Sequence, residues 1–118
     1  MVTRKASYVQ IATETTNGVT LVRADGRLDR HSAARLRAGL ATLVHDGNIR
    51  LILDLEGITH MDTTGLGAII TGLKAVRARC GDLRIARPSK EVRLMLELTA
   101  LDRVLPPYGS VDEARSGL

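Results

Sequence analysis

The chain has 118 residues, enough for one domain with a single core. It is 44% hydrophobic, which argues against disorder, but only 2% aromatic with no Phe or Trp, so the core must be aliphatic and offers little on which to stack bases or sugars. The missing aromatics speak against a nucleic-acid module despite the formal net charge of +4, and the basic residues, interspersed with acids and in no long run, read as solvated faces or else as a basic face for an acidic protein or membrane headgroups.

Residues 1–7 are expected to be a frayed, flexible terminus. Arg4 and Lys5 are not followed by an apolar leader core, and no apolar segment approaches membrane-spanning length, so the reading is a soluble cytoplasmic protein. Tyr8–Thr16 and Val19–Asp25 predict two strands around Asn17-Gly18, a strong tight-hairpin signal. Gly26–Arg30 reads as a loop. Ser32 is an N-cap candidate for a helix through about Val44, with Leu36, Leu40, Leu43 and Val44 on one face, ended by Asp46-Gly47-Asn48. The apolar run Leu51–Leu55 predicts a buried central strand. A polar turn follows, and a second helix starts near Thr63, with Leu66, Ile69, Ile70, Leu73, Val76 and Cys80 as its apolar stripe. Cys80, the one cysteine, excludes a disulfide framework and reads as a small buried hydrophobe. Gly81-Asp82 is a turn and Leu83–Ala86 a short strand. Pro88-Ser89 opens a third helix to about Leu98, Val104-Leu105 is a last short strand stopped by Pro106-Pro107, and Ser110–Arg115 is a closing helical turn. The order β-β-α-β-α-β-α-β-α implies one α/β domain with a mixed sheet of four to five strands and about four helices.

The segment Asp62-Thr63-Thr64-Gly65 carries the chemistry. It places two hydroxyls at the start of a helix, beside a carboxylate, at the strand edge where α/β folds hold their ligands and partners. A hydroxyl there suits reversible phosphorylation, although Asp62 reads equally as a helix cap, and Thr63 and Thr64, taken alone, read as caps first. Asp29 either lines the same site or turns the chain ahead of the first helix. Asp54, an acid in an apolar strand, needs hydrogen-bond donors, expected from loop backbone. Gly65 and Gly67 serve either a partner's close approach or helix–sheet packing. An enzyme is not supported: His60 near Thr63 comes with no oxyanion-hole motif, His31, His45 and His60 lack metal-ligand spacing, and Gly65-Leu66-Gly67 lacks the rest of a dinucleotide loop.

Four segments, in order over roughly residues 8–116, resemble the STAS domain family and within it the stand-alone anti-sigma-factor antagonists. They are Gly26-Arg27-Leu28-Asp29 with His31-Ser32-Ala33, Leu53-Asp54-Leu55 with Ile58, Asp62-Thr63-Thr64-Gly65-Leu66, and Leu96 to Val104. The resemblance implies a single STAS-type domain over residues 8–116 that has no catalysis or cofactor of its own. It implies binding to a kinase-type anti-sigma factor, release of a sigma factor, phosphorylation by that kinase and reversal by a phosphoprotein phosphatase, with no direct contact to nucleic acid or membrane and a monomeric state. Carried over residue by residue, the phosphoacceptor is Thr63, with Thr64 second, and the partner surface comprises Asp29, His31, Asp62, Thr63, Thr64, Gly65 and Leu66. Most family members carry Ser where this chain has Thr63, and the extra β-methyl restricts χ1. The competing use of the same domain is a phosphorylation-independent binding module, as in a sensory complex or a lipid transporter's accessory subunit.

Overall fold

The computed structural model describes residues 9–118. The frayed terminus expected over residues 1–7, and Tyr8 at the start of the first strand, lie outside the described residues. The elements are β1 (Val9–Thr16), β2 (Val19–Leu28), α1 (Ala33–His45), β3 (Arg50–Asp54), β4 (Ile58–Met61), α2 (Thr63–Arg77), β5 (Asp82–Ala86), α3 (Lys90–Leu98), a 3-10 turn (Leu101–Arg103), β6 (Pro107–Tyr108) and α4 (Val111–Arg115).

Asn17 and Gly18 both take positive φ, 53° and 78°, the combination that reverses a twisted hairpin in two residues. The resulting β1–β2 ladder runs antiparallel without a slip from Val9 opposite Gly26 to Thr16 opposite Val19. All other pairings are parallel, and the strand order is β1-β2-β3-β5-β6. β2 uses its inner edge twice: Thr20–Arg23 pair with β3, and Gly26–Leu28 pair with β4 across an irregularity at Gly26/Arg27. The predicted Gly26–Arg30 loop is therefore corrected, since its first three residues extend β2. The same pairing brings the sheet to six strands among the described residues, because β4 adds one the sequence reading did not contain.

α1, α2 and α3 bury their apolar stripes on one face of the sheet, where Leu36, Leu40, Ile69, Leu73 and Leu96 meet Leu51, Leu53 and Ile85. Ile52, pointing the other way, joins Val19, Leu21, Ala86 and Ala114 under α4. β3 is thus covered on both sides, which accounts for its three consecutive apolar residues Leu51–Leu53. Each of these large aliphatic side chains contributes about 1.5–3 kcal/mol by leaving water.

Three further expectations are corrected. Cys80 is exposed, not buried: α2 ends at Arg77, and Cys80 lies beyond it in a left-handed conformation (φ 64°) that turns the chain out of the helical period. Val104-Leu105 is not a strand; Leu105 is fully buried at the end of the 3-10 turn, with its N–H donating to Leu101 O, and the short strand falls at Pro107–Tyr108. Ser32 stands at the N-cap position of α1 but makes no capping bond; its hydroxyl instead donates to Arg27 O at 2.6 Å.

Candidate functional site

The loop between β4 and α2 is held by Asp62. Its extended backbone (φ −111°, ψ −176°) lets one carboxylate oxygen cap the helix by accepting from Gly65 N at 3.0 Å. The other oxygen reaches across to the β2–α1 loop and accepts from Arg30 N at 3.2 Å. Asp62 N donates back to Leu28 O, also at 3.2 Å. One residue therefore ties two loops that are more than thirty positions apart. Of the roles considered from sequence, the cap is realised, with the cross-loop bond added to it.

Gly65 makes that close approach possible. A Cβ there would lie 2.3 Å from Leu28 O and 2.8 Å from Leu28 Cγ. Gly65 and Leu66 are both buried, whereas Gly67 has open space where a Cβ would go. Thr63 and Thr64 are both exposed. Among the described residues neither hydroxyl has a hydrogen-bond partner.

On the facing loop, Asp29 is 9% exposed and turns the chain into α1. Its Oδ1 accepts from His31 N at 2.9 Å, and Arg27 Nε lies 3.5 Å from Oδ2. Burial opposes its charge, but the His31 amide, the nearby His31 and Arg27 and the Ser32 backbone outweigh it and hold the carboxyl below its ordinary value. His31 and Arg30 are exposed on the same loop. Of the residues expected on the partner surface, Asp29 and His31 lie on one loop and Asp62, Thr63 and Thr64 on the other, with the Asp62–Arg30 bond between them, whereas Gly65 and Leu66 are buried and present no side chain to a partner.

Asp54 does not belong to this surface. It is 3% exposed and accepts from Glu56 N at 3.2 Å, as expected. Its main partner is Arg87, which grips it two-pronged, at 2.5 Å from Nη2 and 3.2 Å from Nε. The apolar setting of Asp54 signalled a partner; nothing in the sequence pointed to a residue 33 positions away. Arg30 was missed as well, for it joins the site through its backbone.

Two grooves lie away from this loop. One of about 380 Å³ is bordered by Glu14, Arg23, Arg87 and Arg115 on the α4 side, and one of about 400 Å³ by Leu94, Met95 and Leu98 on α3; neither includes a residue of the Asp62–Thr64 loop. Thr63 and Thr64 are exposed and border neither groove. Among the described residues no cluster of three or more His, Cys, Asp or Glu is placed to hold a metal, and no helix is long and apolar enough to cross a membrane.

Comparison with known proteins decides the family. The STAS domain model matches residues 10–114. The chain belongs to the STAS domain family. This STAS domain is 30% identical over 93 residues to an anti-sigma-B factor antagonist of Staphylococcus aureus, covering 79% of the chain and 86% of the relative. It is 27% identical over 101 residues to an anti-sigma F factor antagonist of Paenibacillus polymyxa, covering 85% and 86%. Among solved structures, the anti-sigma factor antagonist SpoIIAA in its unphosphorylated form is 25% identical with a TM-score of 0.63, over 81% of this chain and 96% of that one. The phosphorylated form of Bacillus SpoIIAA has a TM-score of 0.70 at 23% identity, over 89% and 96%, a likeness of fold.

Proposed function

We propose that this STAS domain is an anti-sigma-factor antagonist that binds a kinase-type anti-sigma factor through the Asp29–His31 and Asp62–Thr64 loops and is switched off by phosphorylation of Thr63. The observation that carries the reading is the state of Thr63. It is exposed, its hydroxyl is unpartnered among the described residues, and it is the first residue of a fifteen-residue helix whose entry Asp62 fixes. The curated relatives named above and the solved forms of SpoIIAA support the role. The domain is then the substrate of the kinase and contributes no catalysis of its own. A phosphoprotein phosphatase restores the binding form, and the cycle runs in the cytoplasm on a monomer.

The physical basis of the switch is local. A phosphate adds about −1.5 to −2 charges at neutral pH. On the free surface the amino end of α2 tolerates it, with a benefit of about 0.3–1 kcal/mol, so the fold survives. Inside an interface the same group must be stripped of water or set against the partner's acids. About 2.8 kcal/mol of such cost weakens binding a hundredfold.

Titration calorimetry with a kinase-type anti-sigma factor tests this. Thr63→Ala should bind within a few-fold of the unmodified chain, and Thr63→Glu should bind clearly more weakly. Equal affinity of Thr63→Glu and the unmodified chain would remove the electrostatic switch.

A further inference from the structure

The charged groups around the Thr63 loop are not equivalent. Arg27 is already committed to Asp29, 3.5 Å away. Asp29 and Asp62 are engaged with the amides of His31, Arg30 and Gly65. His31, exposed on the facing loop, acts on Asp29, and His60 is exposed on β4 two residues before Asp62. Arg30 differs from all of these: its backbone is pinned, while its guanidinium is exposed and in no ion pair among the described residues.

The pin sets where that arm begins. Arg30 N lies 3.2 Å from Asp62 Oδ2, and Asp62 is bonded to Thr63. Consecutive Cα atoms are about 3.8 Å apart, and an extended arginine arm spans roughly 7 Å, the length of two extended residues. By these lengths a phosphate on Thr63 lies within reach of the Arg30 arm.

Resting on the reading of Thr63 as phosphoacceptor, we infer that Arg30 is the counter-ion, within the same chain, that holds the phosphate of phosphorylated Thr63. A guanidinium meets phosphate oxygens with two parallel N–H donors, and a charge placed opposite an unpaired arginine gains charge-assisted hydrogen bonds. Phosphorylation then changes the surface twice. It adds a dianion at Thr63, and it withdraws the one arginine of the Asp29–His31 loop that was free for an acidic group of a partner.

The test uses the whole chain with phosphothreonine placed at position 63 by genetic encoding, so that no kinase is needed. The second pKa of the phosphate, ordinarily about 6, is followed by phosphorus NMR. Arg30→Gln should raise it by about 0.3–0.7, the shift expected of a partly exposed ion pair, and Arg30→Lys should recover part of the difference. Lys74→Gln, an equal change of charge about 16 Å along α2, is the control and should leave it unmoved. Equal shifts for Arg30→Gln and Lys74→Gln would overturn the assignment. Failure of a kinase to modify Thr63 would instead overturn the proposed function, so the two failures are told apart.

Discussion

Replacing Gly65 with alanine tests whether the Thr63 loop is built by close packing of α2 on the end of β2. The added Cβ would stand 2.3 Å from Leu28 O and 2.8 Å from Leu28 Cγ. The first of these is backbone and cannot swing aside, so the start of α2 must lift. Overpacking of this kind costs about 1–3 kcal/mol. Lifting the helix also weakens the Gly65 N to Asp62 bond, a cap worth about 1 kcal/mol. Against this, alanine favours a helix over glycine by about 1 kcal/mol. The net loss is about 1–3 kcal/mol, or roughly 4 °C of melting temperature for each kcal/mol in a chain of this size. Gly67→Ala is the matched control. It gains the same propensity and meets nothing within 4 Å, so it should stabilise by about 0.5–1 kcal/mol. Urea and thermal unfolding of both variants give the answer; if Gly65→Ala is as stable as Gly67→Ala, the packing account of the loop is wrong.

Arg87→Met leaves the 3% exposed Asp54 without its two-pronged partner and with only the more distant Arg23, 3.9 Å away, so denaturant unfolding should show a lower midpoint than in the unmodified chain. Asp29 has a lowered carboxyl pKa, so its contribution to stability is present above the ordinary value of 3.8 and is lost as pH falls through the lower folded value. The acid limb of a pH–stability curve should accordingly be shallower in Asp29→Asn than in the unmodified chain. Cys80 should react with a thiol reagent in the folded protein, giving one equivalent at a rate near that of the denatured chain, whereas a buried thiol would react only on unfolding.

Much of the fold is written locally. Asn17-Gly18 announces the hairpin, the spacing of Leu66, Ile69, Leu73 and Val76 announces α2, and Ser89 and Ser110 cap α3 and α4 through Val92 N and Glu113 N. What was not legible depends on distant partners. β4 is four residues with Thr59 and His60 exposed, too short for a period, and it is a strand only because the far end of β2 is free to pair with it. β6 is two residues beginning with Pro107, and its place is fixed by Ile85 and Ala86. Cys80 shows the opposite failure, a helical period continued past Arg77 into a turn that leaves the helix. In the site, the Asp62-Thr63-Thr64 sequence carries its own local geometry, whereas the bond that joins it to Arg30 arises only when β2 and β4 pair.

The central claim is that Thr63 is the group on which the switch acts. The direct measurement is peptide mass mapping after the chain is incubated with a kinase-type anti-sigma factor and ATP, alongside Thr63→Ala and Thr64→Ala. A single phosphate on residue 63, retained in Thr64→Ala and absent from Thr63→Ala, is the expected result. Undiminished phosphate uptake by Thr63→Ala would contradict it.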